Sequence, residues 1–341
     1  MFNHKHDSVR FDVVVSVPAD QAMDGFALDA TAAEVHTFDE FAYEYVAHTD
    51  ATQLAGSQDR QREIVFGKLN LATQKGSATL GSSLRALGTI LVTSKNVGVS
   101  LHGNLSAPVV TIQSEHGDVR LHSKSSIHGG METAIKLESG SIFVDKGAEL
   151  WGTALSFATE RGSVLGDGTW FVNHTLALHS EAGTISAAIG VDKPDMYYIT
   201  YEDQKKLGEG RLLSVDISTV NGSIDANYVQ HLATMPLRSV VKTRRGSARV
   251  RHAREFEGKI SARGNSARQR HADVAGRTVT SAAERHGATQ VLSGSVSWDP
   301  ALRPKLPLER TMPWDNTKTA TELGAESVVE SDSGAVELVF A

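Results

Sequence analysis

Short runs of alternating apolar and polar residues, each ending at a glycine, return about every 21 to 24 residues along much of this 341-residue chain. The segments LNLATQKGSATL (69–80), VTIQSEHGDVRL (110–121), TAIKLESGSIFV (133–144), LSFATERGSVLG (155–166) and LALHSEAGTISA (176–187) align column by column. The pattern resumes in VDISTVNGSIDA (215–226), SVVKTRRGSARV (239–250) and SVVESDSGAVEL (327–338). An apolar residue stands five before the glycine, usually a small or hydroxyl residue three before it, and an aliphatic residue or alanine two after it. Period-two alternation predicts strands. A helical repeat would need apolar positions at spacings of three and four, which these units lack.

A fixed period in this range is the signature of a stacked array. Each unit reads as strand, glycine corner, strand and a looser return, so the predicted fold is all-β: a single-stranded β-solenoid, or β-helix, with coils of about 21 to 24 residues. The predicted corner glycines are Gly76, Gly117, Gly140, Gly162, Gly183, Gly222, Gly246 and Gly334. Glycine suits a corner because it tolerates positive φ and close backbone approach. One coil cannot bury its own interior, whereas stacked coils pair every strand with the coils above and below. The interior column then includes Leu71, Ile112, Ile135, Phe157, Leu178, Ile217, Val241 and Val329. A β-sandwich with glycine turns is the competing arrangement, and equal coil length over eight units favours the solenoid.

Breaks in the pattern divide the chain. Residues 1–64 alternate without the glycine column and read as an N-terminal β cap; residues 65–298 carry the solenoid repeats. Within them, 191–211 is charged and tyrosine-containing and reads as an excursion loop. Residues 299–326, with four of the eight prolines, form a predicted connector, and 327–341 return as a C-terminal strand unit. No cysteine is present, which excludes disulfides, thiolate metal sites and a cysteine nucleophile. The N-terminal residues lack the apolar core of a signal peptide, and no apolar run approaches the length of a membrane span.

The repeated aliphatic-x-aliphatic-x-[Ser/Thr]-x-x-Gly-x-aliphatic unit resembles the adhesin-like β-solenoid domain family of bacterial and fungal proteins, over roughly residues 65–250 and the C-terminal unit. The resemblance implies a β-solenoid fold and an adhesion-like, cell-surface role, and carries no catalytic residues over to this chain. A non-enzymatic scaffold or interaction protein is therefore the first expectation. β-Helices also host polysaccharide-active enzymes, which need paired carboxylates. Here Asp118, Asp145, Asp167 and Asp225 are scattered just after corners, so no catalytic residue is assigned. His116, His122 and His128 lack the convergent spacing of metal ligands, so no metal or cofactor is expected.

Charge alone adds a second functional expectation. Residues 238–285 hold 13 Lys and Arg against four acids, a segment charge of +9 in a chain of net charge −6. If coils adjacent in sequence are adjacent in space, these bases make a stripe. Arg244, Arg245, Arg249, Arg251 and Arg254 are its densest part and form the candidate surface for an anionic polymer, such as acidic polysaccharide or anionic lipid. Phe256 is the one aromatic residue in the segment, which gives no stacking platform for specific nucleic-acid binding. The ordinary alternative is a solvated face whose arginines pair with acids of neighbouring coils.

Overall fold

A computed structural model of the chain describes residues 26–30, 35–37, 64–81, 83–191, 212–230, 236–299, 301–302 and 324–341. The alternating runs are strands throughout. The first coils are β1 (Phe26–Ala30) with β2 (Val35–Thr37), β3 (Ile64–Thr73) with β4 (Ala78–Leu80), and β5 (Leu84–Ser94) with β6 (Val99–Leu101). Next come β7 (Asn104–His116) with β8 (Val119–Leu121), β9 (Ser126–Ser139) with β10 (Ile142–Val144), and β11 (Glu149–Arg161), leading into the long β12 (Val164–Ala182). The stack continues through β13 (Ile185–Val191), β14 (Leu213–Asn221), β15 (Ile224–Gln230), β16 (Leu237–Arg245) and β17 (Ala248–His252). The remaining strands are β18 (Gly258–Gly264), β19 (Ser266–His271), β20 (Arg277–His286), β21 (Thr289–Trp298), β22 (Glu326–Ser331) and β23 (Ala335–Phe340).

Through β17 each strand pairs parallel with its equivalent one coil away, as in β3 with β5, β7 with β9 and β14 with β16. Register is set by the period-two pattern, because a one-residue slip would turn every apolar side chain outward. The predicted interior column is confirmed: Leu71, Ile112, Ile135, Phe157, Leu178, Ile217, Val241 and Val329 are all at most 3% exposed. Val92 joins it between Leu71 and Ile112. Burial of each contributes about 1.5–3 kcal/mol before ordering entropy is counted. Each long strand carries a register shift near its middle, as between Ala107 and Val109 and between Gly152 and Ala154. Two to four residues in succession are not buried there and the strand bends, so that each coil lines the interior with short runs.

The corner glycines form a continuous ladder. An added Cβ on Gly140, Gly162, Gly183, Gly222, Gly246 or Gly334 would overlap the carbonyl oxygen of the corner glycine one coil before it. Positive φ adds a second reason at Gly117 (107°) and Gly140 (135°). Gly183, Gly222 and Gly334 lie outside that region, and close approach alone requires glycine there. Gly76 instead exchanges two hydrogen bonds with the Thr73 hydroxyl, 2.9 and 3.2 Å.

The hydroxyl column three residues before the glycine has an equally specific role. Thr159, Ser180, Thr219, Thr243 and Ser331 each donate to the carbonyl oxygen of the corner glycine in the neighbouring coil, at 2.7–3.0 Å. Each hydroxyl is buried, so the bond both satisfies it and clips one coil to the next.

The C-terminal end departs from sequence order. β22 pairs parallel with β16 on one side and with β18 on the other, and β23 lies likewise between β17 and β19. The last unit in the sequence is therefore inserted between the coils 237–252 and 258–271. Beyond them, β21 pairs antiparallel with β18 and β20 pairs antiparallel with β21, closing this end of the stack. The expectation that chain-adjacent coils are space-adjacent thus fails here. The insertion matches charge: residues 326–341 carry four acids and no Lys or Arg, and lie between two basic coils. The described part of the N-terminal 1–64 region, β1 and β2, continues the stack in register on β3 and β4. The rest of that region, residues 192–211 of the expected excursion loop and residues 303–323 of the connector lie outside the described residues.

Candidate functional site

The five candidate arginines all lie on one coil, from the end of β16 to just after β17. Arg244 and Arg245 end β16 at the glycine corner and are exposed, Arg249 and Arg251 lie on β17, and Arg254 follows it, exposed. Arg249 Nε sits 3.0 Å from Glu337 Oε2, and Arg251 is 3.1 Å from Asp225 Oδ2. Among the described residues no acid pairs with Arg244, Arg245 or Arg254.

Glu337 belongs to the inserted coil, as do Glu326 and Glu330, which also meet this basic segment, whereas Asp225 lies on β15. Arg238 Nε is 2.7 Å from Glu326 Oε1, Lys242 Nζ is 3.2 Å from Glu330 Oε2, and Arg270 Nε is 2.8 Å from Glu337 Oε1. On the far side of the same acids, the register places Lys259 beside Glu326, Arg263 beside Glu330 and Arg268 beside Glu337. Three outward columns therefore run base, acid, base across three coils. Much of the charge asymmetry visible in the sequence is consumed by this internal match.

The outer surface of the central coils carries a feature of another kind. His128, Trp151 and Phe171 occupy one outward column in register on β9, β11 and β12. Trp151 stacks on Phe171 with ring centroids 3.9 Å apart and lies 5.9 Å from the His128 ring, nearly parallel to it. The Trp151 Nε1–H donates to Glu149 Oε2 at 3.1 Å, which holds the indole in the stack. At the bends of β9 and of β5, two coils earlier, Met131 and Leu87 are each 64% exposed. Pro108, in the bend of the coil between them, completes an apolar ridge. These side chains leave water contact unrelieved on a face the interior does not need, as partner-binding surfaces do.

Of the carboxylates and histidines considered for chemistry, Asp118, Asp145, Asp225 and His122 have local structural partners. Asp118 Oδ1 accepts from the Ser141 backbone N–H at 2.7 Å, and Asp145 Oδ2 lies 3.0 Å from Arg120 Nε. His122 stacks on His102 at 3.8 Å, with Nδ1 3.6 Å from Asp145. Partial burial first, and the neighbouring His102 second, hold His122 below its ordinary pKa, with Asp145 opposing. His116 and His128 lie elsewhere on the coils, at the end of β7 and within β9. Among the described residues no three His, Asp or Glu side chains converge to hold a metal ion.

Inside the C-terminal coils lies a polar and aromatic cluster. The Tyr228 hydroxyl donates to Ser239 Oγ at 2.6 Å, and His252 Nε2 lies 2.8 Å from Ser327 Oγ. Burial pushes the Tyr228 phenol well above its usual pKa, against the Ser239 bond that favours ionisation. The His252 ring stacks on Tyr228, Phe256 and Phe340 at 5.1, 4.1 and 5.3 Å. The cluster is closed to solvent and joins the inserted coil to its neighbours.

No known protein family matches the chain, and no curated protein or solved structure does either. The fold and its surfaces carry the functional reading by themselves. Of those surfaces, the aromatic column was missed in the sequence, although its members stand 23 and 20 residues apart, one coil period each. Aligning residues by coil position outside the glycine motif would have found it.

Proposed function

We propose that the chain is a non-enzymatic, adhesin-like β-solenoid scaffold that holds a partner protein on the outer face of its central coils. The observation that carries this reading is the outward His128–Trp151–Phe171 column together with the exposed Met131 on β9 and Leu87 on β5. Long solenoids offer flat, extended faces on which recognition spreads over several coils. Aromatic and methionine side chains contribute most per residue when such a face is covered. A photoreactive amino acid at position 131 tests the reading in cells that make the protein. It should cross-link a discrete partner protein, while the same group at position 186, in the short strand β13, should not. Equal or absent labelling at the two positions contradicts it.

Binding of an anionic polymer through Arg244, Arg245 and Arg254 is the weaker reading, since Arg249 and Arg251 already face acids. It predicts retention on acidic polysaccharide that falls steeply with salt and is lost in an Arg244→Glu, Arg245→Glu variant.

A further inference from the structure

We propose that the gap between the coil 237–252 and the coil 258–271 is a binding site for an acidic β-strand pair, which the chain fills with its own residues 324–341 as a detachable clasp. This site is distinct from the apolar face of the central coils and does not depend on the reading given for it.

The main chain supplies the first half of the argument. Without β22 and β23, the strands β16 and β17 on one side and β18 and β19 on the other would each present an unpaired edge. Two facing edges form a receptor for extended backbone, with hydrogen bonds for affinity and side-chain positions for selectivity. The register is parallel and unbroken on both sides, from Arg238↔Glu326 to Thr243↔Ser331 and Ala248↔Val336 to His252↔Phe340 on one, and from Lys259↔Glu326 to Arg263↔Glu330 and Ser266↔Ala335 to His271↔Phe340 on the other.

Side chains supply the selectivity. Glu326, Glu330 and Glu337 each lie between a base of the coil before and a base of the coil after. A neutral strand would leave those bases facing one another across two coil spacings, and a basic strand would meet like charge on both sides. Apolar and polar anchors point inward. Val329 and Leu338 are buried, Phe340 stacks near His252 and Phe256, and Ser327 Oγ meets His252 Nε2. Outer clips complete the fit: Asn265 Nδ2 donates to the Ser333 carbonyl at 2.8 Å and Arg277 donates to the Ala341 carbonyl oxygen at 2.6 Å.

Connectivity makes the element separable. The covalent path from the solenoid before residue 299 to the inserted coil runs through residues 303–323, so one cut there leaves the coil held to the body by its contacts alone. Covalent attachment makes rebinding of the coil intramolecular and so favours it over free peptide. The tethered clasp therefore outcompetes free peptide, and cutting the tether removes that advantage.

The test uses the whole folded chain with a site-specific protease sequence inserted between Asn316 and Thr317. After cleavage, the C-terminal fragment should stay with the body through gel filtration at low salt. Excess fluorescent peptide 324–341 should then exchange into the body. A peptide carrying Glu326→Lys, Glu330→Lys and Glu337→Lys should exchange at least tenfold less well, and raising salt to molar levels should narrow that difference. Uncleaved protein should take up at least tenfold less of the wild-type peptide. The proposal is overturned if the fragment cannot be displaced, if it departs and the labelled peptide does not bind, or if the lysine peptide exchanges as readily as the wild type.

Discussion

Two columns that touch at five of the corners, a glycine and the hydroxyl of the next coil, hold successive coils at the distance parallel pairing needs. Thr219→Val keeps the shape of the side chain and removes the bond to the Gly183 carbonyl, leaving that oxygen without this donor. The expected cost is about 1–2 kcal/mol, read by denaturant unfolding. Gly162→Val places a branched side chain against the Gly140 carbonyl at positive φ, and should cost more than about 3 kcal/mol. Wild-type stability in either variant would contradict the ladder. His122 ties stability to pH. Its folded pKa lies below the unfolded value of about 6.5, so the unfolded chain binds the proton first as pH falls. The stability tied to neutral His122 is present above that pH and declines through and below it. His122→Asn should flatten this part of the stability–pH curve measured between pH 7 and pH 5.

At the scale of elements, the inserted coil shows how modest ion pairs set an order of stacking. The pairing side chains are partly exposed, so each pair is worth about 0.2–1 kcal/mol, and several columns sharing one sign pattern discriminate between arrangements more than they stabilise any one. Glu330→Lys should lower stability by about 1–2 kcal/mol at low salt, with the loss shrinking at high salt, and Lys242→Glu on the same chain should restore part of it. A loss that is indifferent to salt would show that packing, rather than charge, places this coil. The apolar ridge of the central coils behaves differently. Met131→Asp should leave unfolding within about 0.5 kcal/mol of wild type, because the side chain is exposed, while reducing capture of the partner protein. The parallel change in a core position, Ile135→Ala, should instead cost about 2–5 kcal/mol.

For the whole molecule, the coil repeat was legible in the sequence because it is a local pattern: a strand, a corner and a column of like residues at fixed spacing. Leu71 to Val329 could be assigned to one interior column before any pairing was known. The hydroxyl three before each glycine was visible too, but its bond to the next coil was not, since the partner carbonyl belongs to another repeat. Order along the stack was less legible. Each repeat carries the same edges and can pair with any other, so only the match between Glu326, Glu330 and Glu337 and the flanking bases marks where the last unit belongs. A basic segment of charge +9 therefore read as a surface stripe, when two coils of it surround an acidic third. In a solenoid, where stability is a sum of neighbour interfaces, this insertion also makes the last residues of the chain a condition for the coil 258–271 and the β20–β21 hairpin to join the stack.

The most direct measurement is disulfide mapping of that order in a chain that has no cysteine of its own. Val240, Val328 and Ser261 lie in one outward column, with Val240 paired to Val328 and Val328 paired to Ser261. Neighbouring parallel strands stand about 4.8 Å apart, within reach of a disulfide, and strands two coils apart stand about twice that, beyond it. Under mild oxidation, Val240→Cys with Val328→Cys and Val328→Cys with Ser261→Cys should cross-link within the monomer, and Val240→Cys with Ser261→Cys should not. Efficient cross-linking of positions 240 and 261, with none to 328, would put the coils in sequence order and contradict the inserted clasp.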